Sequence, residues 1–338
     1  MDRRERFLSK EVGDPTLRAG MSFKEFINEV RKIGGFTVKS LLDAIDYLVE
    51  MVKDNDLTIF FSFTANLIAT GLRSLIAEFI NKGFVDVIFT TGGAVDHDIA
   101  RSLGGKYYIG DFDLDDRLLK ELELYRLGNI LIPYENYGPL IERFTWEILK
   151  EASGLKEGWG VRELLWFVGS KLDDRTSFMT TSFKRRVPIY SPGVVDSAFG
   201  TALLTFNEKV RIEGSGGLKL EPLKDLKELS DISFTSRKIG GIVVGGGISK
   251  HHLIWWSQFC GGLEYAIYIT TAVEWDGSLS GARTREAISW RKVKPEAKRV
   301  TVYGDATVIL PLLLGALYER CEEEGIKREN RRFGLGYP

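Results

Sequence analysis

The chain has 338 residues, 46 basic and 47 acidic, for a formal net charge of −1, so it lacks the bulk positive field on which nucleic-acid binding relies. No apolar run reaches the roughly 20 residues that span a bilayer, and the N-terminal MDRRERFLSKEVGDP has no apolar stretch behind its charges, so neither a membrane span nor a secretory signal is expected. Cys260 and Cys321 have no CxxC or Cys/His spacing, and adjacent His251 and His252 cannot share a helix or strand face with each other; a cytoplasmic protein with no metal site follows.

In chain order, LTIFFSF (57–63) reads as a strand, followed by a helix over 66–82 with Leu67, Ile68, Leu72, Leu75, Ile76 and Phe79 at near-helical spacing. VDVIFT (85–90), NILIP (129–133), RVPIYSP (186–192), IGGIVVGGG (239–247), YAIYITT (265–271) and RVTVYG (299–304) repeat the strand pattern, with helical segments between. Continuous runs of this kind suit a mainly parallel sheet covered on both faces, which predicts a doubly wound, Rossmann-like α/β fold in a single large domain. That domain is expected over residues 21–325, between a charged N-terminal arm (1–20) and a C-terminal tail (326–338), the two loosest parts of the chain. RIEGSGGLK (211–219) reads as a flexible connection within the domain.

In an open parallel sheet, ligands bind beyond the carboxyl ends of the strands. Here those ends are followed by Thr64-Ala65-Asn66, TTGGAVDHD, PYENYG, SPGVVDSAFG, GGGISKHH, TTAVEWDGSLSGAR and GDAT. Glycines allow close backbone approach and helix N-termini direct free amides at anions, a combination that fits a dinucleotide pyrophosphate. The G-x-G-x-x-G fingerprint is absent. Any one of these glycine pairs alone reads as a tight turn; their number does not.

GGGISKHH, TTAVEWDGSLSGARTREAISWRK and VYGDATVILPLL, preceded by FTANLIATG, TTGGAVDHD, IPYENY and VPIYSPGVVDSAFG, resemble the deoxyhypusine synthase family of archaea and eukaryotes over residues 20–320. The resemblance implies an NAD-dependent enzyme that oxidises spermidine, carries its aminobutyl part as an imine on a lysine, and passes it to one lysine of the hypusine-bearing translation initiation factor. The carrier would be Lys292 of SWRK, with Lys250 the second candidate lysine and His251 a polyamine contact and proton carrier. Tyr268, Glu286 and Trp290 would complete the polyamine site, Trp290 sharing a face with Lys292 if that segment is extended. The cofactor side would take Asn66, Thr91, Gly92, Asp196, Gly245, Gly246, Gly247, Thr271, Asp276, Asp305 and Ala306. Asp196 and Asp305 read either as ribose ligands or as helix caps. The family also implies a homotetramer, at whose interface Trp146, Trp255, Trp256 and Phe259 would be buried unless they are core.

The chain departs from the family pattern where it meets the donor. Leu279 replaces an acid in GSLSGAR, Thr201 replaces a second, Ala198 stands where serine is frequent, His97 where an acid is common and Arg291 where glycine is frequent. Either Asp96, Asp98, Glu135 or Glu274 takes over, or the donor differs, as agmatine would. A homospermidine-synthase-like paralogue making a free polyamine would carry the same motifs. Arg291 is a candidate for lowering the Lys292 pKa, although neighbours on a strand point to opposite faces.

Overall fold

Strands buried on both faces need two cores, and alternation along the strands builds them. In the computed structural model, which describes Leu8 and residues 11–336, all seven residues of β1 (Leu57–Phe63) are buried. Leu57, Ile59, Phe61 and Phe63 point into one core and Phe60 into the other. The same division recurs in β4 (Lys238–Val244), with Ile242 and Val244 opposed to Ile239 and Val243. In β5 (Leu263–Thr270), Ile267 and Ile269 are opposed to Ala266 and Tyr268.

With β2 (Val87–Phe89), β3 (Ile189–Tyr190) and β6 (Val293–Tyr303), these strands form one sheet in the order β3-β2-β1-β4-β5-β6. Every pairing is parallel. This is the strand order of dinucleotide-binding folds, and it reverses direction between β1 and β4, where such folds open a crevice. Phe63 pairs with Val244 at that point, so the loops after them, at Thr64–Asn66 and Gly245–Gly247, emerge side by side.

Several local expectations are corrected. NILIP is not part of the parallel sheet: Ile130–Pro133 pairs antiparallel with Leu124–Leu127 and with Tyr108–Ile109 in a separate small sheet. A two-residue turn, Gly128-Asn129 with Gly128 at φ +60, joins the first two, and so short a link can only make an antiparallel hairpin. The helix expected over 66–82 is two helices, Ala65–Ala69 and Arg73–Asn81, broken at Gly71 with φ +100. β6 begins well before the expected 299 and includes Pro295, which an edge strand tolerates because its outer N–H needs no partner. The 211–219 connection ends in a short strand, Lys219–Leu220, that pairs with Gly158–Trp159.

The tail is not loose over its described part. Asn330 Nδ2 donates to the carbonyls of Ile80 and Val85, and Arg162 Nη1 donates to the carbonyl of Gly336. Arg328 Nη2 reaches the Leu57 carbonyl and, at 2.8 Å, Asp86 Oδ2. Arg328 and Asp86 are both buried, and Asp86 also accepts from the amides of Ile59 and Arg331. The tail thus ties together the amino ends of β1 and β2, opposite the crevice. Of the arm, residues 1–7, 9 and 10 lie outside the described residues, whereas Gly13 and Thr16 bond to Lys32 and Glu29 of the Phe23–Ile33 helix. Removing one partner of a buried pair leaves the other charge stranded, at a cost of about 3–5 kcal/mol. Arg328→Ala should therefore lose about that much unfolding free energy in urea titration, far more than Arg237→Ala, which removes an exposed pair with Asp56.

Candidate functional site

The crevice floor is set by backbone geometry. Gly245 (φ +87) and Gly247 (φ +64) occupy the left-handed region that side chains avoid. Gly246 is required for a different reason: a Cβ there would lie 2.0 Å from Ser280 Oγ. The Gly247 amide donates to that oxygen at 3.3 Å, so the glycine loop and the loop after β5 are in contact. Gly92 likewise admits Ser197, whose Cβ would be 2.6 Å from an added Cβ.

Other expected cofactor residues differ in how free they are. Asp305 caps the Ala306–Glu323 helix, accepting from the amide and hydroxyl of Thr307 at 2.6 Å. Asp196 does not cap the Ala198–Ile212 helix. Ser197 does, accepting from the Gly200 amide, and the exposed Asp196 carboxylate keeps no partner among the described residues. Thr91 precedes the Gly92–Ser102 helix, and its Oγ1 is buried without a hydrogen bond. Asn66 accepts from Thr64 Oγ1 at 2.5 Å, and Asp276 closes a turn onto the Ser278 amide at 2.6 Å. Thr271 is exposed and Ala306 half-buried, at the ends of β5 and β6.

Beside the crevice a cavity of about 370 Å³ opens between the Gly247–Ser257 helix, the end of β5 and the chain that leads into β6. Lys250, His251, Tyr268, Glu286, Trp290 and Lys292 all line it, so six side chains scattered over 43 positions of sequence meet in one place. Ile254, Trp255, Ser278 and Arg283 line it too and were missed in the sequence. Trp255 was within reach of the argument, since i and i+4 on a helix stack, and its ring lies 5.9 Å from His251 at 19°.

The segment carrying Lys292 is not extended. Glu286–Ser289 is a single helical turn, Trp290 ends it, and Arg291 sits at φ +58. That left-handed residue explains why glycine suits the position. It also removes the strand argument: Trp290 and Lys292 flank a turn, and the Lys292 Nζ lies 5.4 Å from the Trp290 ring centroid and 5.7 Å from that of Trp255. Lys292 is buried, its backbone is held by Ala287, Ser257 and Leu263, and its ammonium has no hydrogen bond or ion pair among the described residues. Burial alone lowers its pKa. The neighbouring Arg291 contributes nothing to that shift.

Lys250 differs. It is 1% exposed and donates to the carbonyls of Leu279 (2.6 Å) and Ala282 (2.7 Å), with its Nζ 4.3 Å from the Tyr268 ring centroid. Burial lowers its pKa to about 8. The Tyr268 hydroxyl is buried and unpartnered, and burial with the Glu286 charge pushes its pKa up. His251 is exposed, its pKa lowered by partial burial and by the Lys292 charge. His252 is the inward member of the pair, against Phe89.

Leu279 lines the cavity of Lys250 and Lys292, whereas Thr201, Ala198 and His97 line a separate one of about 550 Å³ with Tyr125, Tyr134, Tyr137 and Glu142. Of the acids named as substitutes, two are already committed. Asp96 accepts from the amides of Ala198 and Phe199 and from Tyr137 Oη; Asp98 accepts from Arg73, Ser177 and the Met179 amide. Glu274 is paired with Arg283 and Arg285, and Glu135 lines neither cavity. Trp256 is core, Trp146 half-buried, and Trp255 and Phe259 remain exposed.

Strand order, glycine loops at the switch point and a lysine-bearing cavity beside them define a doubly wound α/β protein with a mainly parallel central sheet. The deoxyhypusine synthase family profile matches residues 25–317. The chain is 48% identical over 315 residues to proteins of Sulfurisphaera tokodaii and Sulfolobus acidocaldarius, covering 93% of this chain and 99% of each of theirs. An Ignicoccus hospitalis protein is 47% identical over 320 residues, 95% of this chain and 99% of its own. All three bear the name "Probable deoxyhypusine synthase". The crystal structure of a candidate deoxyhypusine synthase from Entamoeba histolytica superposes with a TM-score of 0.61 at 19% identity, covering 92% of this chain and 95% of that one. The chain belongs to the deoxyhypusine synthase family.

Burial holds His97 and His252 neutral, each with its pKa lowered to about 4 from 6.5. Below pH 6.5 the unfolded chain takes up protons that the folded one refuses. Their contribution is therefore complete above pH 6.5 and disappears as pH falls towards 4, on the order of 3 kcal/mol each. Urea midpoints should drop over that interval, and His252→Gln should flatten the drop.

Proposed function

We propose that the chain is a deoxyhypusine synthase that moves the aminobutyl group of spermidine, through an imine on Lys292, to one lysine of the hypusine-bearing translation initiation factor. The observation that carries this is the Lys292 amine: buried, without an ion partner among the described residues, with its pKa lowered, in a cavity that holds a carboxylate and two indole faces. Imine formation needs a neutral amine, and desolvation favours that form. Lys292 would add to the C=N bond of oxidised spermidine and expel propane-1,3-diamine. The acceptor lysine would then displace Lys292 from the imine. Glu286 would hold the cationic end of the chain, Trp290 its adjoining face, and His251 would move protons between amines. The free Tyr268 hydroxyl is available to a ligand amine.

The residues present fit NAD, which would supply hydride acceptance from spermidine and hydride return to the final imine. The loops at Thr64–Asn66 and Gly245–Gly247 would take its pyrophosphate, Asp196 a ribose diol, and the orphaned Thr91 hydroxyl one of its polar groups. Gly92, Thr271, Asp276, Asp305 and Ala306 would border it from the ends of β2, β5 and β6. A cytoplasmic homotetramer is part of the same reading, with the exposed Trp255 and Phe259 available for burial between subunits.

Borohydride quenching in the presence of NAD and spermidine should add an aminobutyl group first to Lys292 and then to the acceptor protein, both lost in Lys292→Ala. Label that reaches the enzyme and putrescine, but never the acceptor, would instead identify a homospermidine-forming paralogue. Leu279→Asp should lower the KM for spermidine roughly tenfold, the effect of one added charged hydrogen bond. An unchanged KM for spermidine alongside efficient use of agmatine would assign the guanidino donor.

A further inference from the structure

The donor cavity is walled on one side by a segment with little regular structure of its own. Between β5 and β6 there are only the short turn Glu274–Asp276 and the one-turn helix Glu286–Ser289. Yet residues 278–283 supply Ser278, Leu279, Ala282 and Arg283 to the cavity lining. A loop keeps one shape only where its backbone groups have fixed partners. Thr270 Oγ1 donates to the Ser280 carbonyl at 3.2 Å, and Ser280 Oγ receives the Gly247 amide. The carbonyls of Leu279 and Ala282, three residues apart, both turn to one buried ammonium, that of Lys250.

That ammonium is held from two sides. Two of its protons go to the carbonyls, its charge faces the Tyr268 ring, and no carboxylate among the described residues forms an ion pair with it, the Glu286 charge acting only from a distance. Charge-assisted bonds are the strong ones, and an amine so engaged has no free lone pair for addition to a carbon. We propose that Lys250 is a positioning residue, whose ammonium fastens the 279–282 stretch to the Gly247–Ser257 helix and so fixes the Leu279 part of the wall of the cavity that Lys292 also lines. This rests on the proposed function only for its kinetic consequence; the clamp itself can be read without turnover.

Reductive methylation of the folded wild-type protein, mapped by mass, should modify Lys292 at least about tenfold faster than Lys250, since two charged hydrogen bonds must open first. Equal rates at the two lysines would overturn the proposal, and this arm needs no variant. Lys250→Met, which keeps the length and volume of the side chain, should be cut by trypsin after Arg283 and Arg285 at least about tenfold faster than wild type, with cleavage elsewhere unchanged. Unchanged cleavage after Arg283 and Arg285 would overturn it. In turnover, Lys250→Met should raise the donor KM about tenfold, keep kcat within about threefold, and still form the borohydride adduct on Lys292. A collapse of kcat at constant KM, or an adduct on Lys250, would put Lys250 in the chemistry instead. If wild type turns over no donor, the functional reading fails while methylation and proteolysis still decide the clamp.

Discussion

The parallel pairing of β1 with β4 is the constraint on which the site depends. Seven consecutive residue pairs, from Leu57 with Lys238 to Phe63 with Val244, hold together segments far apart in the chain. The sheet can then only continue outward in opposite directions, and the helices that follow the two strands leave a gap at their carboxyl ends. Gly240 and Gly241 in β4 allow this packing, since added Cβ atoms would lie 2.7 Å from Met51 Cε and 2.8 Å from Leu263 Cδ1. Loss of that register would separate the two loops and the cavity beside them together.

Two lysines of this cavity show how partners, more than burial, assign a role. Both are buried and both have lowered pKa values. Lys250 is surrounded by carbonyl oxygens and a ring face, which favour its charge and occupy its protons. Lys292 lies near two indole rings in the same cavity, with no acceptor of its own among the described residues. An amine left without acceptors in a desolvated site is the one available as a nucleophile.

The cavity also has few negative charges. Among the described residues Glu286 is the only carboxylate in its lining, with Leu279 forming another part of the wall. Nearby acids do not compensate, because Asp96 holds the start of the Ala198–Ile212 helix, Asp98 is buried against Arg73, and Glu274 is paired with two arginines. Thr201 and His97, which also stand where acids are common, lie in a different cavity rimmed by tyrosines.

Much of this was legible in the sequence. Continuous apolar runs declare strands buried on both faces, and glycine-rich strand ends declare an edge built for a ligand, because both follow from local backbone and burial physics. Lys292, Glu286 and His251 were named through family motifs, and the fold brings them together. The tertiary structure alone decided what each was free to do. Sequence could not exclude NILIP from the main sheet, because a short apolar run fits either sheet until its hairpin partner is known. It left Asp196 and Asp305 equivalent until neighbouring hydroxyls made one a cap and left the other open. Nor could it show that Asp96 and Asp98 were committed, that Arg291 turned the chain backwards, or that Lys250 was tied to two carbonyls. Residue types and their order follow from the sequence, whereas hydrogen-bond partners come from contacts distant along the chain and exist only once it has folded.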